Sequence, residues 1–198
     1  MLIALAFAVA AIATPAGTIV VHPDSKVPEA VVKMAIDEAN KIWRAAGIVF
    51  EFRLGGDTIG VERPLVDVSF DDQPRAPSDY VRVIGWVIFD ANSAPLPQIH
   101  LSYANAMVLM RAANGADMDR YTVYERNTMA ARALGRALAH ELGHYLLASK
   151  EHTADGLMKG HLSTGELFGP QRSRFTLDGA QRTVVASRLL LAESVAHR

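Results

Sequence analysis

The chain has 198 residues, half of them hydrophobic, enough for one domain with a sizeable core and no need of a second. Its 20 Lys and Arg against 21 Asp and Glu leave no basic excess, which argues against nucleic-acid binding. The absence of cysteine excludes disulfides, cysteine-ligated zinc and any latency that depends on a thiolate.

In chain order, Leu2 to Ala13 is an apolar run followed by Thr14-Pro15-Ala16-Gly17. It reads as the core and cleavage zone of a secretory signal over residues 1–16, so the expected localisation is secreted or periplasmic. The run is shorter than the roughly 20 residues that span a bilayer, and no membrane span is expected. Thr18 to His22 is β-branched and predicts a strand. Pro28-Glu29 then opens a helix in which Val32, Ala35, Ile36, Ala39, Ile42 and Trp43 keep a helical period, up to Gly47. Ile48, Phe50 and Phe52 alternate as the next strand, and a strand-helix-strand unit of this kind favours a parallel pair. Val66 to Phe70 predicts a third strand, and the polar stretch Asp71 to Asp79 a loop. Ile84 to Phe89 and Gln98 to Tyr103 predict two more strands, close enough together to form an antiparallel hairpin.

The segment Met129 to Ala139 is rich in strong helix formers and leads into His140-Glu141-Leu142-Gly143-His144. The helix start is either the capping box Thr122-x-x-Glu125 or a cap at Thr128. Histidines four apart lie about 40° apart around a helix, so both imidazoles can reach one metal ion. Zinc suits such a site, and Glu141, beside the first ligand, is placed to act as general base on a metal-activated water. Gly143 costs about 1 kcal/mol relative to alanine in a helix interior, which points to close approach by another segment.

A third ligand is required, and the candidates are His152, His161, Glu151 and Glu166. In a continuous helix His152 would lie roughly 18 Å from His140 along the axis and about 120° around it. The helix must therefore stop between Tyr145 and Glu151 for His152 to serve, with Ser149-Lys150 the expected stop. Glu166 would instead bring a carboxylate from a second helix, although Ser163-x-x-Glu166 also reads as a capping box. Gly160 to Pro170 predicts a loop. Thr176 is expected to cap a last helix with an apolar stripe of Leu177, Ala180, Val184, Leu191 and Val195. His22, His100 and His197 have no ligand spacing.

His140-Glu141-x-x-His144, His152-Thr153 and Gly156-Leu157-Met158 together resemble the matrixin branch of the metzincin zinc metalloproteases. The family pattern H-E-x-x-H-x-x-G-x-x-H puts glycine and the third histidine where this chain has Leu147 and Lys150, so the histidine here comes two residues late. The resemblance implies an α+β, zincin-like catalytic domain over residues 17–198. It would have a mixed, mostly parallel twisted sheet with an antiparallel edge strand, an active-site helix and a C-terminal helix. It also implies Zn2+ held by His140, His144 and His152, Glu141 as base, and Met158 in a tight turn beneath the metal. Gly85, Trp86 and Val87 match in position the edge strand that binds extended peptide, which offers main-chain hydrogen bonds to any sequence. The segment 160–170 would wall the pocket for the side chain just past the scissile bond. The expected function is a zinc endopeptidase acting on peptides or proteins. Its alternatives are a non-enzymatic zinc-binding domain and a peptidase that uses Glu166 as third ligand.

Overall fold

The computed structural model describes residues 16–55, 64–73 and 83–196, with side chains through 192. The apolar run expected to be a signal lies outside the described residues, as do most of the loop expected over 71–79 and His197. Among the described residues, no helix is long and apolar enough to cross a membrane.

Strand β1 (Thr18–Pro23) leads into α1 (Glu29–Ala45), and the chain returns as β2 (Glu51–Leu54), parallel to β1 as the strand-helix-strand pattern predicted. The helix stops where the φ of Gly47 turns to +81°, a left-handed value that glycine adopts without cost. β2 is shorter than the alternation at Ile48, Phe50 and Phe52 suggested. Phe50 lies ahead of the strand, buried edge-on against Trp43 of α1 with ring centroids 5.6 Å apart. Strand β3 (Val66–Asp71) follows, then β4 (Gly85–Phe89) and β5 (Pro95–Ser102).

The sheet order is β2-β1-β3-β5-β4, parallel throughout except that β4 runs antiparallel to β5. β4 is therefore an edge strand. One face of the sheet, carrying Ile19, Val21, Val66, Val68, Phe70, Ile99 and Leu101, is buried in the core. The alternate residues of the other face are more polar, and a row of partners, His22, Ser69, His100 and Trp86, crosses the strands there.

Tyr103, expected at the end of a strand, instead opens helix α2 (Tyr103–Asn114). Ser102 caps it by accepting the Asn105 N–H, and a 3₁₀ turn (Gly115–Arg120) follows. Helix α3 (Val123–Leu147) starts at the Thr122-Glu125 capping box rather than at Thr128. It crosses α1 at Gly135, where an added Cβ would come within 2.5 Å of the Ala35 carbonyl oxygen and 2.6 Å of Glu38 Cβ. Only glycine permits so close a crossing.

After α3 the chain has little regular structure except the short α4 (Thr164–Phe168), inside the segment expected to be a loop and capped by Ser163 and Glu166. The last helix, α5 (Gly179–Ala196), departs from the expected reading in two ways. Asp178 and Gln181 cap it reciprocally in place of Thr176. Its core-facing residues are Val185 and Leu189, while Val184 and Leu191 are exposed and Leu177 is buried ahead of the helix. The apolar residues of this helix surround more of its circumference than one stripe, so periodicity alone selects the wrong face.

Candidate metal centre

α3 presents His140 and His144 one turn apart, and the chain must then reverse to bring in His152. It does so at Ala148, which takes the left-handed conformation (φ 50°, ψ 40°) and donates its N–H to the carbonyls of His144 and Tyr145. The stop thus falls one residue before the expected Ser149-Lys150. It needs no glycine, although a non-glycine residue in this region costs roughly 1–2 kcal/mol. Because the helix ends at Leu147, His152 sits beside the other two rings instead of far along the axis.

The three imidazoles form the single group of potential metal ligands among the described residues. His140 and His152 stack (5.3 Å, 16°), and His144 stands edge-on to both (4.6 and 4.9 Å). His140 Nδ1 donates to the Leu157 carbonyl at 2.8 Å, and His144 Nδ1 donates to the Ser149 carbonyl at 2.7 Å. A carbonyl only accepts, so both Nδ1 atoms carry hydrogen and both Nε2 atoms present lone pairs. Those two lone-pair nitrogens lie 3.0 Å apart, with His152 Nε2 3.3 Å from that of His144. Facing acceptors repel unless a cation lies between them. Three nitrogens about 2.1 Å from one tetrahedral ion would be roughly 3.4 Å apart, so these side chains fit a metal ion, and a three-histidine set with one direction open suits zinc.

Burial favours the neutral rings. It pulls His140 down to about 4, with His144 and His152 adding to the effect and the Leu157 carbonyl opposing it, and lowers His144 for the same chief reason. Glu141 points from the same helix turn toward β4. Gly85 leaves room for it, since a Cβ there would sit 3.2 Å from Glu141 Cγ, and the Val87 N–H donates to its carboxylate. Burial nonetheless pushes Glu141 up to about 8. Of the three expected edge-strand residues, Gly85 and Val87 thus adjoin Glu141. The Trp86 side chain lies on the other sheet face, stacked on His100 at 5.3 Å.

Met158 is buried under the helix. A Cβ on Gly143 would stand 2.3 Å from Met158 Sδ, so the close approach expected at Gly143 is made by this thioether. The turn above it is fixed by Gly156 (φ +83°), by Leu157 N–H to the Thr176 carbonyl (2.8 Å) and by Thr153 N–H to the Met158 carbonyl (2.9 Å). Gly160 gives His152 its place, because a Cβ there would lie 3.0 Å from the ring's Cγ.

Glu166 does not join the group. Lys159 Nζ takes both its oxygens (2.9 and 3.1 Å) and Ser163 caps against it, which holds the carboxyl down at about 2. Glu151 and His161 are exposed and outside the group as well. The sequence reading missed Gly160, the carbonyl of Ser149, and a buried charged node of Arg136 and Glu38. The node had a signal: Arg136 stands one helical turn before His140, in an otherwise Ala- and Leu-rich stretch.

The sheet order, the antiparallel edge strand and the helix carrying the histidine pair define a zincin-like α+β fold around a three-histidine centre. The crystal structure of archaemetzincin from Methanopyrus kandleri has this fold. It superposes with a TM-score of 0.55 at 11% identity, over 88% of this chain and 96% of that one. No family model matches the chain, and no curated protein sequence does.

Proposed function

We propose that the chain is a zinc-dependent endopeptidase of metzincin type, with the matrixin-like signature His152-Thr153 leading into the Met158 turn. The observation that carries this reading is the convergence of two oriented lone-pair nitrogens and His152 Nε2 on the helix turn that also carries the buried Glu141. His140, His144 and His152 would hold the ion, the first two kept in the correct tautomer by the Leu157 and Ser149 carbonyls. When bound, zinc polarises a carbonyl and brings the pKa of a water to about 7.

The protein's own part is to move the proton and hold the peptide. Glu141 accepts the proton of the attacking water and returns it to the leaving amine, and a carboxyl raised toward neutrality suits both transfers. The free edge of β4 holds the substrate as an added strand along Gly85 to Val87. Trp86 pairs its main-chain groups with His100 of β5, so those of Gly85 and the Val87 carbonyl face outward and accept varied sequences. Glu141→Gln should keep stoichiometric metal and lose peptide cleavage by a factor on the order of 10³ or more. Cleavage retained at more than a tenth of the original rate would refute the mechanism. His152→Ala should lower metal stoichiometry, with Glu166→Ala leaving it unchanged. From the apolar run at residues 2–13 we further propose export with cleavage near residue 16, which N-terminal sequencing of the mature protein tests.

A further inference from the structure

Along α3, Arg132, Arg136, His140 and His144 follow one another at intervals of four, a single slanted row down one side of the helix. The two histidines belong to the metal centre. The two arginines grip the backbone that follows the Met158 turn. Arg132 Nη1 donates to the Phe168 carbonyl at 3.2 Å. Arg136 Nη1 donates to the Glu166 carbonyl at 2.5 Å and Nη2 to the Gln171 carbonyl at 3.0 Å, while Nε donates to Glu38 Oε1 of α1 at 3.0 Å. The guanidinium also lies 4.9 Å over the Phe175 ring. The second oxygen of Glu38 accepts Arg172 Nε at 2.6 Å, so the segment is fastened at 166, 168, 171 and 172.

Two of these fastenings fall on carbonyls of the last turn of α4, which have no partner within so short a helix. Arg136 is fully buried and Glu38 nearly so. A buried pair of this kind contributes about as much stability as apolar residues of the same volume would, so stability alone does not account for it. What apolar packing could not supply is a directed hold on four points of a segment that has one short helix of its own.

We propose that Arg132 and Arg136 are positioning residues for substrate selectivity. They fix the 163–175 segment in register with the helix that carries His140 and His144. Where that segment walls the pocket past the scissile bond, as the metzincin resemblance implies, the rigid helix sets the distance from the histidines to that wall. This rests on the peptidase reading above. Arg136→Lys keeps the charge but cannot reach three acceptors in a fixed fork, and Arg132→Gln releases Phe168 alone.

The test uses the full metal-loaded chain and three readouts: metal stoichiometry, amide hydrogen exchange, and cleavage of peptides varied at the residue after the scissile bond. Both variants should keep stoichiometric metal and unchanged exchange over 140–158, while exchange over 163–175 rises about tenfold. The preference between large and small side chains should fall about fivefold, expressed in KM, with kcat on the best peptide within about twofold. Where Arg136→Lys fails to fold, Arg172→Gln replaces it with the same expected outcome. Faster exchange with an unchanged preference would overturn the selectivity role and leave a structural one. Unchanged exchange over 163–175 would overturn the positioning itself. A wild-type chain that cleaves no peptide would sink the peptidase reading, and the selectivity claim with it.

Discussion

Gly143→Ala tests the packing beneath the metal centre with a change of sign. On an isolated helix the substitution stabilises by about 1 kcal/mol, because alanine is the better helix former. In this protein the added Cβ would fall 2.3 Å from Met158 Sδ and 3.2 Å from its Cε. Carbon and sulfur atoms rest at roughly 3.5–4.0 Å, so Met158 must retreat by more than 1 Å inside a packed core. Overpacking of this size costs about 1–3 kcal/mol, which leaves Gly143→Ala neutral to about 2 kcal/mol destabilising. With Met158→Ala already in place the obstacle is gone, and the same substitution should stabilise by up to about 1 kcal/mol. Urea unfolding of metal-free protein measures all four corners of the cycle, with chelator present so that metal binding does not enter the free energies. The expected coupling between the two positions is about 1–3 kcal/mol. A Gly143→Ala substitution that stabilises equally in both backgrounds would show that the thioether does not press on the helix.

Gly160→Ala should displace the His152 ring, whose Cγ would lie 3.0 Å from the new Cβ. Metal affinity, titrated against a competing chelator, should fall by roughly 10–100-fold while the fold persists. Ala148→Gly relieves a left-handed alanine at the end of α3. Thermal unfolding should show a gain of up to about 1 kcal/mol, the conformational relief less the entropy that glycine loses on folding. Glu166 supplies a pH dependence. Its carboxyl is held at about 2 in the folded chain, chiefly by Lys159 and then by Ser163, against an unfolded value near 4.3. Since the folded value is the lower, its contribution is complete above about pH 4.5 and disappears as pH falls toward 2. The stability difference between the wild type and Glu166→Gln should therefore shrink from pH 6 to pH 3, and a difference independent of pH would contradict the pairing with Lys159.

The sequence was most legible where one local rule governs. Period and the Pro28-Glu29 start placed α1, and capping narrowed the start of α3 to two positions, of which the structure uses Thr122. The strand-helix-strand unit and the short hairpin implied the parallel β1-β2 pair and the antiparallel β4-β5 pair. It was least legible where tertiary contacts choose between equivalent local options. The choice of Val185 and Leu189 over Val184 and Leu191 is made by what α5 packs on, which no periodicity in an apolar-rich helix encodes. In the metal centre, the two histidines on one turn and the glutamate between them were legible because helical geometry alone brings them together. The approach of His152 came only from the resemblance and from the need for a stop between Tyr145 and Glu151, since the turn itself depends on a left-handed alanine, a residue that carries no stop signal.

That alanine also bears on the two-residue delay. Ending the helix at Leu147 leaves the carbonyls of His144 and Tyr145 to be taken by the Ala148 N–H, with Ser149 N–H reaching the His144 carbonyl as well. The Ser149 carbonyl is then turned back to accept from His144 Nδ1 at 2.7 Å. The turn that ends the helix is therefore the same turn that orients the second histidine. Lys150, standing where the family pattern has its third ligand, reaches instead to the β4-β5 hairpin, with Nζ 3.4 Å from Ser93 Oγ and 4.9 Å over the Phe89 ring. The extra residues thus lead the chain past the hairpin before His152 closes the group. Gly160 and the bridge between Thr153 and Lys159 then hold His152 in place. The late third histidine of this chain is thus accompanied by a turn whose Ser149 carbonyl serves the histidine before it.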